Sequence, residues 1–84
     1  MKYYTYILYA AQFDRYYIGQ TDDMQDRLRR HNSGYEKATA PYIPWTLELF
    51  IEKPSRAEAM KLEVKLKNLN HKRLMSFIEK YKPR

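Results

Sequence analysis

Two tyrosine-rich runs, residues 3–10 and 16–20, stand five residues apart at the start of an 84-residue chain. Tyr, Ile and Thr favour extended backbone, so both runs read as strands, with residues 11–15 as a hairpin loop. Both are apolar or aromatic at consecutive positions, which calls for cover on both faces of a sheet. That cover must come from a small core, because a chain of this length buries only roughly 60–68% of the surface it exposes when unfolded. Cysteine is absent, which excludes disulfides, thiol catalysis and Cys-ligated zinc.

Helical cover is legible further along. Thr21-Asp22-Asp23 starts a first helix, where Asp22 with Gln25 fits a capping box. Met24 and Leu28 supply a short buried stripe. Arg29, Arg30 and His31 suit its C-terminal end, and Asn32-Ser33-Gly34 stops it. Residues 35–44, with Pro41 and Pro44, read as a loop. From Trp45 to Glu52 a third strand alternates, with Leu47, Leu49 and Ile51 on one face and Thr46, Glu48 and Glu52 on the other. Phe50 falls on the polar side and is expected to meet a helix or the rim. Ser55 with Glu58 forms a capping box for a second helix reaching Asn68 or Leu69. Asn70 caps a third, whose Leu74, Phe77, Ile78 and Tyr81 share a face. The order β-β-α-β-α-α gives an α+β (mixed α/β) domain, a three-stranded antiparallel sheet flanked by helices, with residues 1–84 as one unit.

Charge is uneven. Residues 1–52 hold six Lys/Arg and seven Asp/Glu, whereas residues 53–84 hold ten Lys/Arg and three Glu. A basic C-terminal third suits a polyanion, nucleic acid first and an anionic membrane surface second, or else is a solubilising face. No apolar run approaches the ~18 residues that cross a bilayer. The opening Met1-Lys2-Tyr3-Tyr4-Thr5 lacks a leader's cleavage site, so a cytoplasmic location with no membrane contact is expected.

Three groups of residues could carry chemistry. On the second helix, Leu62, Leu66, Leu69 and Ala59 form one apolar cluster and Met60, Val64 and Ala57 another. Glu63 projects between them, a costly place for a carboxylate unless it is paired or binds a metal. The choice lies between an i,i+4 ion pair with Lys67 and a cation site. On the first helix, Arg27 and His31 share a face, either as a solvated basic edge or with the arginine fork offered to a phosphate. The tyrosines Tyr3, Tyr4, Tyr6, Tyr9, Tyr16 and Tyr17 crowd the first two strands, as packing rings or as hydroxyls that orient a water. A Walker loop, a Rossmann fingerprint and a serine elbow are all missing, which argues against nucleotide hydrolysis and acyl transfer.

In order along the chain, these pieces resemble the GIY-YIG nuclease family, its small standalone bacterial members in particular. Tyr4-Thr5-Tyr6 stands where the first tripeptide belongs, keeping only its tyrosine, and Tyr17-Ile18-Gly19 matches the second. Arg27, within Asp26-Arg27-Leu28-Arg29-Arg30-His31-Asn32, resembles the family's arginine helix. Glu63, within Ala59-Met60-Lys61-Leu62-Glu63-Val64-Lys65, matches its metal-binding glutamate.

The resemblance implies a metal-dependent endonuclease acting on phosphodiester bonds, on DNA before RNA. Glu63 would hold one Mg²⁺ or Mn²⁺, Arg27 would take the phosphate, and Tyr6, Tyr17 or His31 would handle the attacking water. Gly19 either admits the backbone to the phosphate or fits a bulge where a side chain would clash. Gln20 stands where some repair nucleases place a lysine, and Lys37 in the loop is the candidate to replace it. A targeting partner protein or a homodimer would supply reach. The competing readings are a non-catalytic basic nucleic-acid-binding module and a protein-interaction domain.

Overall fold

A computed structural model describes residues 2–83; Met1, part of the leader argument, and Arg84, counted in the basic third, lie outside the described residues. The strands are β1 (Tyr3–Ala10), β2 (Arg15–Thr21) and β3 (Thr46–Lys53), and the helices are α1 (Met24–Asn32), α2 (Arg56–Lys67) and α3 (His71–Tyr81). The sheet is antiparallel in the order β2-β1-β3, which makes β1 central and covered on both faces. Among the described residues no helix is long and apolar enough to cross a membrane.

Successive β1 side chains feed two separate cores. On one face, Ile7 meets Ile18, Leu49, Leu66 of α2, and Leu74 and Ile78 of α3. On the other, Tyr6, Leu8, Ala10 and Trp45 pack with Met24 and Leu28 of α1. Thr5 adds a long-range tie, its hydroxyl donating to the Ala59 carbonyl at 2.7 Å. Leu66, 2% exposed, anchors α2 on the sheet. Truncating such a leucine to alanine costs about 2–5 kcal/mol and would free the helix that carries Glu63.

The caps of α2 and α3 form as the spacing requires. Ser55 Oγ accepts from Glu58 N at 3.2 Å, and Asn70 Oδ1 from Arg73 N at 2.9 Å. The start of α1 shifts by one residue. Thr21 Oγ1 accepts from Asp23 N at 3.1 Å, and Asp23, not Asp22, caps the helix by accepting from Asp26 N at 3.1 Å.

Two apolar patterns are corrected. The β1–β3 register shifts between Ile7 and Leu8: Ile7 faces Leu49 but Leu8 faces Leu47. The irregularity leaves Glu48 as the extra residue, so Leu47 turns to the Trp45 core while Leu49 and Ile51 stay on the α2–α3 side. Phe50 sits at the rim, half exposed, edge-on to Tyr4 at 5.6 Å. On α2 only the Ala59–Leu66 stripe is covered; Met60 and Val64 are exposed by 49% and 59%. Glu63 therefore stands at the boundary between the covered and open sides of the helix, not between two buried clusters.

Candidate active site

Tyr6 lies on the α1 side of β1, 1% exposed. Its partner across the ladder is Gly19 of the edge strand β2. A Cβ built on Gly19 would sit 2.5 Å from the Tyr6 hydroxyl oxygen and 2.6 Å from the ring carbon bearing it. The glycine thus lets the phenol lie across the edge strand. Pairing is regular there, so the expected bulge at Gly19 is absent and the side chain it avoids belongs to Tyr6.

Helix α1 brings two groups to that phenol, one turn apart. His31, 2% exposed, has Nε2 2.9 Å from the Tyr6 hydroxyl and Nδ1 2.8 Å from Thr39 Oγ1. Burial, joined by the charges of Arg27 and Arg30 and opposed by Glu36, holds the imidazole pKa below its ordinary value. Arg27 is half-buried, and its Nε is buried without a hydrogen-bond partner among the described residues. The Tyr17 ring closes the group at 4.9 Å from the His31 ring and 6.5 Å from that of Tyr6, centroid to centroid.

Glu63 approaches from α2. Its side chain is 20% exposed and pairs with Lys67 at 2.7 Å. Its charge is felt at Tyr6, whose pKa is pushed up to about 12. Burial is the main cause, followed by Tyr17; hydrogen bonding and charge from Arg27 oppose it, and Glu63 adds to it. The phenol thus senses the guanidinium and the carboxylate together. A cleft of about 300 Å³ opens between β2 and the end of α2, with Tyr17, Ile18, Leu66 and Lys67 in its lining. A larger hollow of about 440 Å³ against α3, lined by Met75, Ser76, Glu79 and Lys80, holds none of these groups.

Five of the residues expected from the sequence, Tyr6, Tyr17, Arg27, His31 and Glu63, are therefore linked by contact or by field, and Gly19 joins them through its clearance for Tyr6. Lys37 is exposed on the loop after α1, and among the described residues no hydrogen bond or ion pair ties it to the group. Thr39 was invisible to sequence reasoning, because a threonine in a polar loop is ordinarily solvated. Here it is fully buried against His31.

A divalent cation is compatible with the donor set. Among the described residues no three His, Asp or Glu side chains cluster as ligands. Glu63 offers one carboxylate of hard oxygen atoms, which suits Mg²⁺ or Mn²⁺ completed by water and phosphate oxygens rather than by a protein cage.

Comparison with known proteins places the chain among relatives of known fold. A UPF0213 protein of Bacillus velezensis is 36% identical over 67 residues, a stretch covering 75% of this chain and 65% of that protein. The chain thus spans just under two thirds of that relative's length. The solution NMR structure of a UPF0213 protein from Bacillus halodurans superposes with a TM-score of 0.62 at 31% identity, covering 94% of this chain and 84% of that one. The family model of the GIY-YIG catalytic domain matches residues 2–82. On that match the chain belongs to the GIY-YIG family.

Proposed function

We propose that this chain is a metal-dependent endonuclease that hydrolyses phosphodiester bonds in nucleic acid, DNA before RNA. The observation that carries the reading is Arg27. A guanidinium whose buried Nε has no partner, beside a phenol and an imidazole, is a donor set awaiting an anion. The planar fork of a guanidinium can take a phosphate bidentately.

In this reading Arg27 binds the scissile phosphate and offsets its growing charge. Tyr6 and His31, hydrogen-bonded at 2.9 Å, take the proton of the attacking water, and Tyr17 walls the site. Glu63 holds the cation. When bound, Mg²⁺ or Mn²⁺ stabilises negative charge on the phosphate and the leaving oxygen. Gly19 keeps the phenol in reach, and Lys37 contacts the backbone of the bound strand. The Lys/Arg-rich C-terminal third steers the polyanion with little sequence readout, so capture weakens as salt rises. A partner protein or a second copy of the chain supplies targeting.

One observation favours a non-catalytic nucleic-acid-binding module instead: the Glu63–Lys67 ion pair at 2.7 Å satisfies the carboxylate without a metal. Plasmid nicking with Mg²⁺ or Mn²⁺, run beside Glu63→Gln and Arg27→Ala, separates the two. The nuclease reading expects nicking that both substitutions abolish, with binding of labelled DNA retained in Glu63→Gln. Binding with no cleavage under either metal would support the module, and cleavage persisting in both variants would sink the assigned site.

A further inference from the structure

We infer that Thr39 is a positioning residue: its hydroxyl holds the buried imidazole of His31 in the Nδ1–H form and so leaves Nε2 as the acceptor for the Tyr6 hydroxyl. The inference rests on the reading of Tyr6 and His31 as the proton-transfer pair.

Thr39 is fully buried, and its Oγ1 donates to the Glu36 carbonyl at 3.4 Å. A hydroxyl has one proton, so toward His31 Nδ1, at 2.8 Å, it presents a lone pair. With the hydroxyl proton placed on the Glu36 carbonyl, Nδ1 carries hydrogen. A neutral imidazole has a single N–H, so Nε2 is bare and the Tyr6 hydroxyl, 2.9 Å away, donates to it. The phenol side gives the same answer. Among the described residues the Tyr6 hydroxyl has one hydrogen-bond acceptor, His31 Nε2. A buried phenol proton needs an acceptor, and Nε2 is the one within reach, so the proton goes to Nε2.

Thr39 is itself held from several directions. Trp45 Nε1 donates to the Thr39 carbonyl at 2.9 Å, and Thr39 N donates to the Glu36 carbonyl at 3.2 Å. The Asn32 amide brackets Trp45, accepting from its N–H at 2.6 Å and donating to its carbonyl at 2.9 Å. Asn32 follows His31 on α1, so the loop that carries Thr39 is clipped to the helix that carries the imidazole.

This arrangement sets the direction of proton movement. The Tyr6 hydroxyl proton passes to Nε2, giving an imidazolium whose Nδ1–H stays on Thr39. The phenol oxygen takes a proton from water as the water oxygen bonds to phosphorus. The bond to the leaving strand breaks with its electron pair on oxygen, which solvent protonates, and the imidazolium returns its proton to solvent.

The test reads the tautomer directly. Nitrogen-15 NMR of the labelled chain, with the His31 signals assigned against His31→Gln, should show Nδ1 protonated and Nε2 bare in the native sequence and in Thr39→Ser. In Thr39→Val the Nε2–H form should appear. Cleavage should fall about tenfold to a hundredfold in Thr39→Val and return in Thr39→Ser, within the range expected of misaligned general acid–base catalysis. An Nε2–H imidazole in the native chain overturns the inference whatever the activity. So does a Thr39→Val variant with unchanged tautomer. If the chain cleaves no nucleic acid but the tautomer follows Thr39, the nuclease reading fails and the role of Thr39 in setting the hydrogen bond stands. Should Thr39→Val fail to fold, the native and Thr39→Ser spectra still decide.

Discussion

Tyr6 and Gly19 face each other across β1 and β2, and the phenol occupies the space a side chain at position 19 would need, 2.5 Å from an added Cβ. The glycine of the second tripeptide and the tyrosine of the first are thus two halves of one fit. The same fit presents the hydroxyl to His31 at 2.9 Å.

Gly19→Ala should therefore act through Tyr6. The ring is buried and cannot swing away freely, so the expected cost is about 1–3 kcal/mol, the range for overpacking a core. Urea denaturation measures it. In a double-mutant cycle with Tyr6→Ala, which removes both the oxygen and the ring carbon that the new methyl strikes, the combined cost should be smaller than the sum. Strict additivity would mean that the two positions do not share the space.

Arg27→Met should separate stability from activity. Removing a buried donor with no partner ought to leave stability unchanged or raise it by up to about 1 kcal/mol, because a buried charge carries a desolvation cost. Cleavage should fall at least about a hundredfold, the scale for losing a donor aimed at developing charge. Arg27→Lys should recover little of it, since an ammonium cannot match the planar fork. A large loss of stability in Arg27→Met would assign the guanidinium a structural role instead.

Stability should depend on pH through His31. Burial, chiefly, depresses its folded-state pKa below the ordinary 6.5. The unfolded chain then binds the proton more readily, so the contribution is whole above about 6.5 and declines as pH falls toward the folded value. Denaturation midpoints at pH 7.5 and 5.5 should differ more in the native chain than in His31→Gln. Equal differences in the two would show that His31 does not carry the effect.

Lys67 competes with any cation for Glu63, at 2.7 Å. An i,i+4 ion pair is worth about 0.3–0.5 kcal/mol, so Lys67→Met should lower the Mg²⁺ concentration for half-maximal cleavage about twofold. A titration of nicking against Mg²⁺ reads this. A higher requirement would argue that Lys67 assists the metal site.

What the chain alone made legible was local. A serine three residues before a glutamate, or an asparagine three before an arginine, caps a helix wherever it occurs, because the bond joins atoms that helical geometry already brings together. Ser55 and Asn70 therefore did what their spacing required. The consecutive apolar strands announced a sheet covered on both faces, and the ordered Tyr, Arg and Glu positions announced the family and pointed to a candidate site. At the start of α1 even a local reading moved by one residue, since two aspartates were available and the Thr21 hydroxyl selected the second.

The remainder depended on contacts between residues distant in sequence. Whether Leu47 shares a face with Leu49 is decided by one extra residue at Glu48, which alternation cannot reveal because the partner strand sets the register. Whether Met60 and Val64 are covered depends on which stripe of α2 meets the sheet, and two apolar stripes on one helix look alike until the neighbour is in place. Thr39 next to His31, and Tyr6 beside both, join three separate segments of chain. Sequence specifies which hydrogen-bonding groups exist; only the folded arrangement, by excluding water from them, decides which must satisfy one another.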